Sequence, residues 1–94
     1  EYNLAIVVSA EDAKGTTLLL EPNDNPIAKA YQEGLYRSGI PCIVFSVTDI
    51  YKEADRLRGL GVKFNKEPVT TDFGIEAVFD DTCGNYIMLF QDLK

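Results

Sequence analysis

The stretch Pro41-Cys-Ile-Val-Phe-Ser-Val47, followed by Thr48-Asp49 and Ile50-Tyr-Lys-Glu-Ala-Asp-Arg-Leu57, decides how the chain is read. Residues 41–47 alternate with a period of two, placing Ile43, Phe45 and Val47 on one face and Cys42, Val44 and Ser46 on the other, which predicts a strand. Thr48-Asp49 supplies an N-cap, and Ile50, Ala54 and Leu57 recur at helical spacing until Gly59 and Gly61 close the helix. Lys52, Glu53, Asp55, Arg56 and Arg58 fall largely outside that stripe and read as a solvated face. Beyond it, Val62 to Asn65 predicts a short strand and Glu67 to Phe73 a polar loop through Pro68. Gly74 to Asp80 predicts another strand and Asp81-Thr-Cys-Gly-Asn85 a tight turn. Tyr86 to Gln91 closes the pattern, with Tyr86, Met88 and Phe90 sharing a face. The order strand, helix and three strands over residues 41–91 defines an α+β fold with a βαβββ module.

Working outward toward the N-terminus, Tyr2, Leu4, Ile6 and Val8 alternate with less apolar neighbours and predict a strand. Ser9 to Gly15 suits a hairpin connection. Thr16 to Glu21 reads as a strand apolar on both faces, and so buried on both, until Pro22 ends it. Asn25-Pro26 has the pattern of an N-cap followed by proline at the first helical position. Ile27, Ala30, Tyr31 and Leu35 continue that helix toward a stop at Gly39, with Gly34 costing up to about 1 kcal/mol relative to alanine inside it. The segments 15–21 and 84–91 both run from glycine through polar residues into an apolar strand, a faint sign of duplication.

Ninety-four residues with 46% hydrophobic and 26% charged content describe one small domain of ordinary composition. Fifteen acids against nine bases give a net charge of −6. Such a surface repels phosphate backbones and anionic headgroups, so the expected partners include neither nucleic acid nor membrane. No apolar run approaches the roughly 20 residues of a membrane span, and no leader pattern opens the chain. The sequence holds no histidine, which excludes a Ser-His-Asp triad, a Cys-His dyad and any histidine-ligated metal within these residues. Cys42 and Cys83 stand far apart without a Cys-x-x-Cys spacing. Two free thiols and a cytoplasmic location are the expectation.

The stretch Val47-Thr-Asp-Ile50, the helix end Leu57-Arg-Gly-Leu-Gly-Val62 and the segment Ala77-Val-Phe-Asp-Asp-Thr-Cys-Gly-Asn85 resemble the vicinal oxygen chelate superfamily. That superfamily includes glyoxalase I, the bleomycin- and fosfomycin-resistance proteins and the extradiol dioxygenases. Asp81 to Asn85 stands where its members usually carry Asp-Pro-Asp-Gly-Asn, and residues 18–26 are similar to one bacterial branch known only as glyoxalase-like. The resemblance implies paired βαβββ modules curved around a shared cavity. On it, residues 1–21 are a β-hairpin, the last two strands of a first module; residues 22–40 form a linker helix; residues 41–92 form the complete second module. The chain opens Glu1-Tyr-Asn-Leu4 inside a strand-like pattern without methionine. The missing strand, helix and strand would need roughly 40–50 residues, from typical element and loop lengths. Either a preceding segment or another chain is expected to cover the bare hairpin.

Metal-dependent members place ligands at positions that fall on Leu19, Cys42 and Met88 here. Leucine and methionine do not ligate a divalent catalytic metal in that manner, and a lone thiolate is a poor replacement. The expectation is therefore a sheet-lined cavity that binds a small organic molecule without a cofactor, in a homodimer. The alternative is a divalent-metal lyase, isomerase or dioxygenase with ligands outside these residues; a third reading is a structural descendant with a filled cavity. The candidate cavity residues are Glu21, Cys42, Ser46, Glu76, Tyr86, Met88 and Phe90. Glu21 would reach the rim, and Glu76 would project inward beside Val78 as a base or a cation-binding group. Tyr86, Met88 and Phe90 would offer a flat or cationic ligand an aromatic and thioether wall.

Overall fold

Both helices begin where local chemistry provides for it. Asn25 caps the first helix, its side-chain oxygen accepting a hydrogen bond from the Ile27 amide at 2.8 Å, with Pro26 at the first helical position. Asp49 caps the second, accepting from the Lys52 amide at 3.1 Å. The computed structural model describes residues 5–12 and 14–93. Their order is β1 (Ala5–Val8), a 3-10 turn (Ala10–Asp12), β2 (Thr17–Leu20), α1 (Pro26–Arg37), β3 (Ile43–Ser46), α2 (Ile50–Gly59), β4 (Phe64–Thr70), β5 (Gly74–Asp80) and β6 (Tyr86–Asp92). The expected strand over residues 2–8 is described from Ala5 onward; Tyr2 to Leu4 lie outside the described residues.

The chain divides into two compact units, residues 1–30 and 31–94, with the division falling inside α1. In the first unit β1 and β2 form an antiparallel hairpin with Ala5 opposite Leu20 and Val8 opposite Thr17. The expectation that residues 16–21 are buried on both faces is not met. Leu18, Leu19 and Leu20 each remain 42–47% exposed, because a two-stranded ribbon has no second layer of its own.

The second unit is built on a four-stranded sheet in the order β3-β6-β5-β4, parallel between β3 and β6 and antiparallel elsewhere. The α2 stripe decides which face closes. Ile50 is fully buried and clusters with Ile75, Ala77 and Leu89, with Val47, Leu57, Phe64 and Phe79 packed around them. The Gln91 side-chain oxygen accepts from the Ile50 amide at 2.8 Å, tying the first turn of α2 to β6. Arg58 at the other end pairs with Glu67 on β4 and lies 5.2 Å from the Phe64 ring centroid. Register then commits the opposite face. Glu76 opposes Phe90, Val78 opposes Met88, Asp80 opposes Tyr86, and on the other side Val44 opposes Met88 and Ser46 opposes Phe90.

One boundary differs from the sequence reading. Residues 67–70, expected in a loop, continue β4, and Pro68 lies inside a strand. The strand is at the sheet edge and its register with β5 shifts twice, between Phe64 and Lys66 and again between Lys66 and Val69. An edge position and bulges are the conditions under which a strand accommodates proline. The turn after β5 holds two residues at positive φ, Gly84 at 93° and Thr82 at 65°. Asp80 Oδ1 accepts from the Thr82 amide at 2.7 Å, and Asp81 Oδ1 accepts from the amides of Cys83 and Asn85, so side chains hold this turn.

Two substitutions test the packing. Ile50→Ala should lower unfolding free energy by about 2–5 kcal/mol. Gly74→Ala should also destabilise, because a Cβ there would run into the Gln91 carbonyl oxygen and the Phe90 ring. Chemical denaturation measures both; wild-type midpoints in both variants would refute the assigned core.

Candidate functional site

The face of the sheet opposite α2 gathers most of the residues expected at a site. Its even-parity positions form three rows across the strands. Tyr86 and Asp80 make the first, with Cys42 alongside, its amide donating to the Tyr86 carbonyl at 2.9 Å. Val44, Met88 and Val78 make the second; Val78 is buried, Met88 half-buried and Val44 54% exposed. Ser46, Phe90 and Glu76 make the third. The sequence singled out six of these: Cys42, Ser46, Glu76, Tyr86, Met88 and Phe90. Glu21 belongs to the other compact unit. β2 ends at Leu20, and Glu21 is exposed beyond it in the unit formed by residues 1–30.

The first row carries a clamp that the sequence reading missed. Tyr36, in the last turn of α1, donates its phenolic hydrogen to Asp80 Oδ2 at 2.5 Å and stacks on Tyr86 with centroids 4.7 Å apart and planes 12° from parallel. One helical turn earlier, Gln32 Nε2 donates to the Cys83 carbonyl and to Asn85 Oδ1, each at 3.1 Å. Residues at i and i+4 share a helix face, so both polar side chains grip the β5–β6 turn together. The expected apolar stripe does not provide the hold: Ile27 and Tyr31 remain 80% and 67% exposed. Asp80 has the same strand parity as Glu76, the one signal that marked it in advance.

The electrostatics follow from these partners. The hydrogen bond to Asp80, together with burial and the Asp80 charge, pushes the Tyr36 hydroxyl up to about 12. Tyr36 is therefore a neutral donor throughout the physiological range. Burial, with the Asp81 carboxylate beside it, raises the Cys42 thiol above its ordinary value, which keeps it protonated and a poor nucleophile. Glu76 was expected to project between apolar neighbours. Its Oε1 instead accepts from Lys66 Nζ at 2.8 Å across the β4–β5 pair, with the carboxylate side chain the more covered of the two.

The donor set does not suit a chelated divalent metal. Met88 and Cys42 offer a thioether and a single thiol, Leu19 offers nothing, and the described residues contain no group of three or more Cys, Asp or Glu side chains arranged to hold an ion. A concavity of about 710 Å³ opens between residues 60–65 and the turn at 79–82, with Phe64 and Phe79 in its wall. Of the expected site residues, none lines it.

Tyrosine titration checks the clamp. A late-ionising tyrosine should appear near pH 12 and be absent in Tyr36→Phe. Because the folded value lies above the unfolded 10.0, the stabilisation it adds is complete below pH 10 and lost as pH rises through about 12. Superimposable alkaline titrations of the two proteins would refute it.

Comparison with known proteins gives three kinds of likeness. Residues 1–89 match the model of the Glyoxalase/Bleomycin resistance protein/Dioxygenase superfamily. The chain is 49% identical over 91 residues to the uncharacterized protein YurT of Bacillus subtilis (strain 168), covering 97% of this chain and 72% of that protein. It is 30% identical over 86 residues to an uncharacterized protein of Shewanella frigidimarina (strain NCIMB 400), covering 92% and 63% respectively. The crystal structure of UcmS2 is similar with a TM-score of 0.60 and 32% identity, over 79% of this chain and 59% of that one. The chain thus spans less than two thirds of both the Shewanella relative and UcmS2. Among the described residues, no helix is long and apolar enough to cross a membrane.

Proposed function

This chain belongs to the Glyoxalase/Bleomycin resistance protein/Dioxygenase superfamily, and we propose that it binds a small organic molecule on the sheet face opposite α2, without a catalytic metal. The observation that carries this reading is the composition of the face. Val44, Val78, Met88, Phe90 and Tyr86 form a continuous apolar and aromatic floor, with polar side chains at its ends. Apolar surface with a few placed polar groups is what a small-molecule site requires. The positions where metal-dependent relatives would hold their ion carry Leu19, Cys42 and Met88, whose chemistry supports binding over metal-assisted catalysis. The protein acts, on this reading, as a cytoplasmic homodimer that sequesters its ligand. Neither the thiol nor the phenol at this face is poised as a nucleophile: the Cys42 thiol is protonated and the Tyr36 hydroxyl donates to Asp80.

Two measurements on the purified chain test this together. Elemental mass spectrometry should find no stoichiometric divalent metal, and chelator should leave the melting curve unchanged. A flat apolar ligand at 100 times its Kd should stabilise the fold by about 2.7 kcal/mol, and Met88→Lys should remove that gain. Near one metal per chain, with melting lowered by chelator, would establish the metal-dependent alternative instead.

A further inference from the structure

The two ends of the open face differ in hydrogen-bonding polarity. On β5, Asp80 and Glu76 lie four residues apart with the same parity, ~13 Å along the strand. Each carboxylate accepts from a donor on another element, a neutral phenol at Asp80 and a cationic ammonium at Glu76. At the Asp80 end, Tyr36 spends its single O–H on Asp80 Oδ2, and Asp80 Oδ1 accepts from the Thr82 amide. What remains toward a ligand is the phenolic oxygen's lone pairs and the unneutralised charge of Asp80, with Asp81 nearby: acceptors and negative potential. At the Glu76 end, Lys66 Nζ spends one N–H on Glu76 Oε1. An ammonium has three N–H donors, so this end still offers donors, with the Ser46 hydroxyl on the same row as Phe90 and Glu76. Between the ends, the Val44-Met88-Val78 row carries no polar side-chain group.

We propose that this face reads the polarity of its ligand, taking a flat, apolar-bodied molecule with an amine or ammonium at one end and a carboxylate or carbonyl at the other. The amine would meet Tyr36 and Asp80, and the carboxylate would meet Lys66. This rests on the binding reading above and adds to it a ligand class, a length and a direction. An apolar middle excludes water from beneath the ligand body, so a polar group placed there would lose its hydration without a partner. A molecule reversed end for end would set carboxylate against carboxylate at Asp80.

Titration calorimetry on the full chain tests the proposal with three probes. These are a biphenyl bearing an aminomethyl group and a carboxylate at its two para ends, biphenylcarboxylic acid, which lacks the amine, and aminomethylbenzoic acid, which is too short. The first should bind about tenfold more tightly than either of the others, the factor expected for one charge-assisted hydrogen bond. Asp80→Asn should bring the two biphenyls close to parity, and Val44→Lys, at an exposed position in the middle row, should weaken both. Equal affinity of the two biphenyls for the wild type, weakened by Val44→Lys, would overturn the polarity reading while leaving small-molecule binding at this face intact. Binding that is unaffected by Val44→Lys and Met88→Lys, or no binding of any probe, would overturn both.

Discussion

The commitment of one sheet face to α2 governs everything else in residues 31–94. Strand side chains alternate with a period of two. Once Ile75, Ala77 and Leu89 are buried beneath Ile50, the register of β5 and β6 leaves Glu76, Val78, Asp80, Tyr86, Met88 and Phe90 no choice of side. A shift of one residue would exchange the two sets completely. The hydrogen bond from the Ile50 amide to the Gln91 side chain and the packing forced by Gly74 at the start of β5 fix that register from both layers. The site is thus a consequence of how the core closes, and its geometry is as firm as the core itself.

What the open face holds is then set by partners that arrive from other elements. Lys66 comes from β4, where its register partner is Val78 and Glu76 is the diagonal neighbour on the same face. Tyr36 comes from α1 and reaches both Asp80 and Tyr86. The superfamily carries many chemistries on one scaffold, so membership by itself assigns none. These side chains favour binding: a lone thiol and a thioether stand where ligands for a metal would be, and an apolar row lies between two polar ends.

Much of this was legible in the sequence, and the pattern of what was not has a physical basis. The βαβββ order, both helix caps and the shared parity of Tyr86, Met88 and Phe90 follow from local spacing, which sequence shows directly. Three features do not. Pro68 argued against a strand, and only its place at a bulged sheet edge makes one possible. Tyr36 stood in a predicted apolar helix, yet its role comes from a residue 44 positions away. Glu76 was expected among apolar neighbours, and its cation comes from Lys66 on the next strand, ten residues away. In each case the deciding contact is between segments distant in sequence or shifted in register, which periodicity does not encode.

The most direct test of the central claim is a methyl-resolved NMR titration of the full chain with the aminomethyl biphenylcarboxylate. The account predicts that the Met88, Val44 and Val78 methyl signals move together and saturably, while those of Ile50 and Ile75 beneath α2 remain in place. Shifts confined to the α2 side, or to Leu60 and Val62 in the concavity beside the β5–β6 turn, would contradict it.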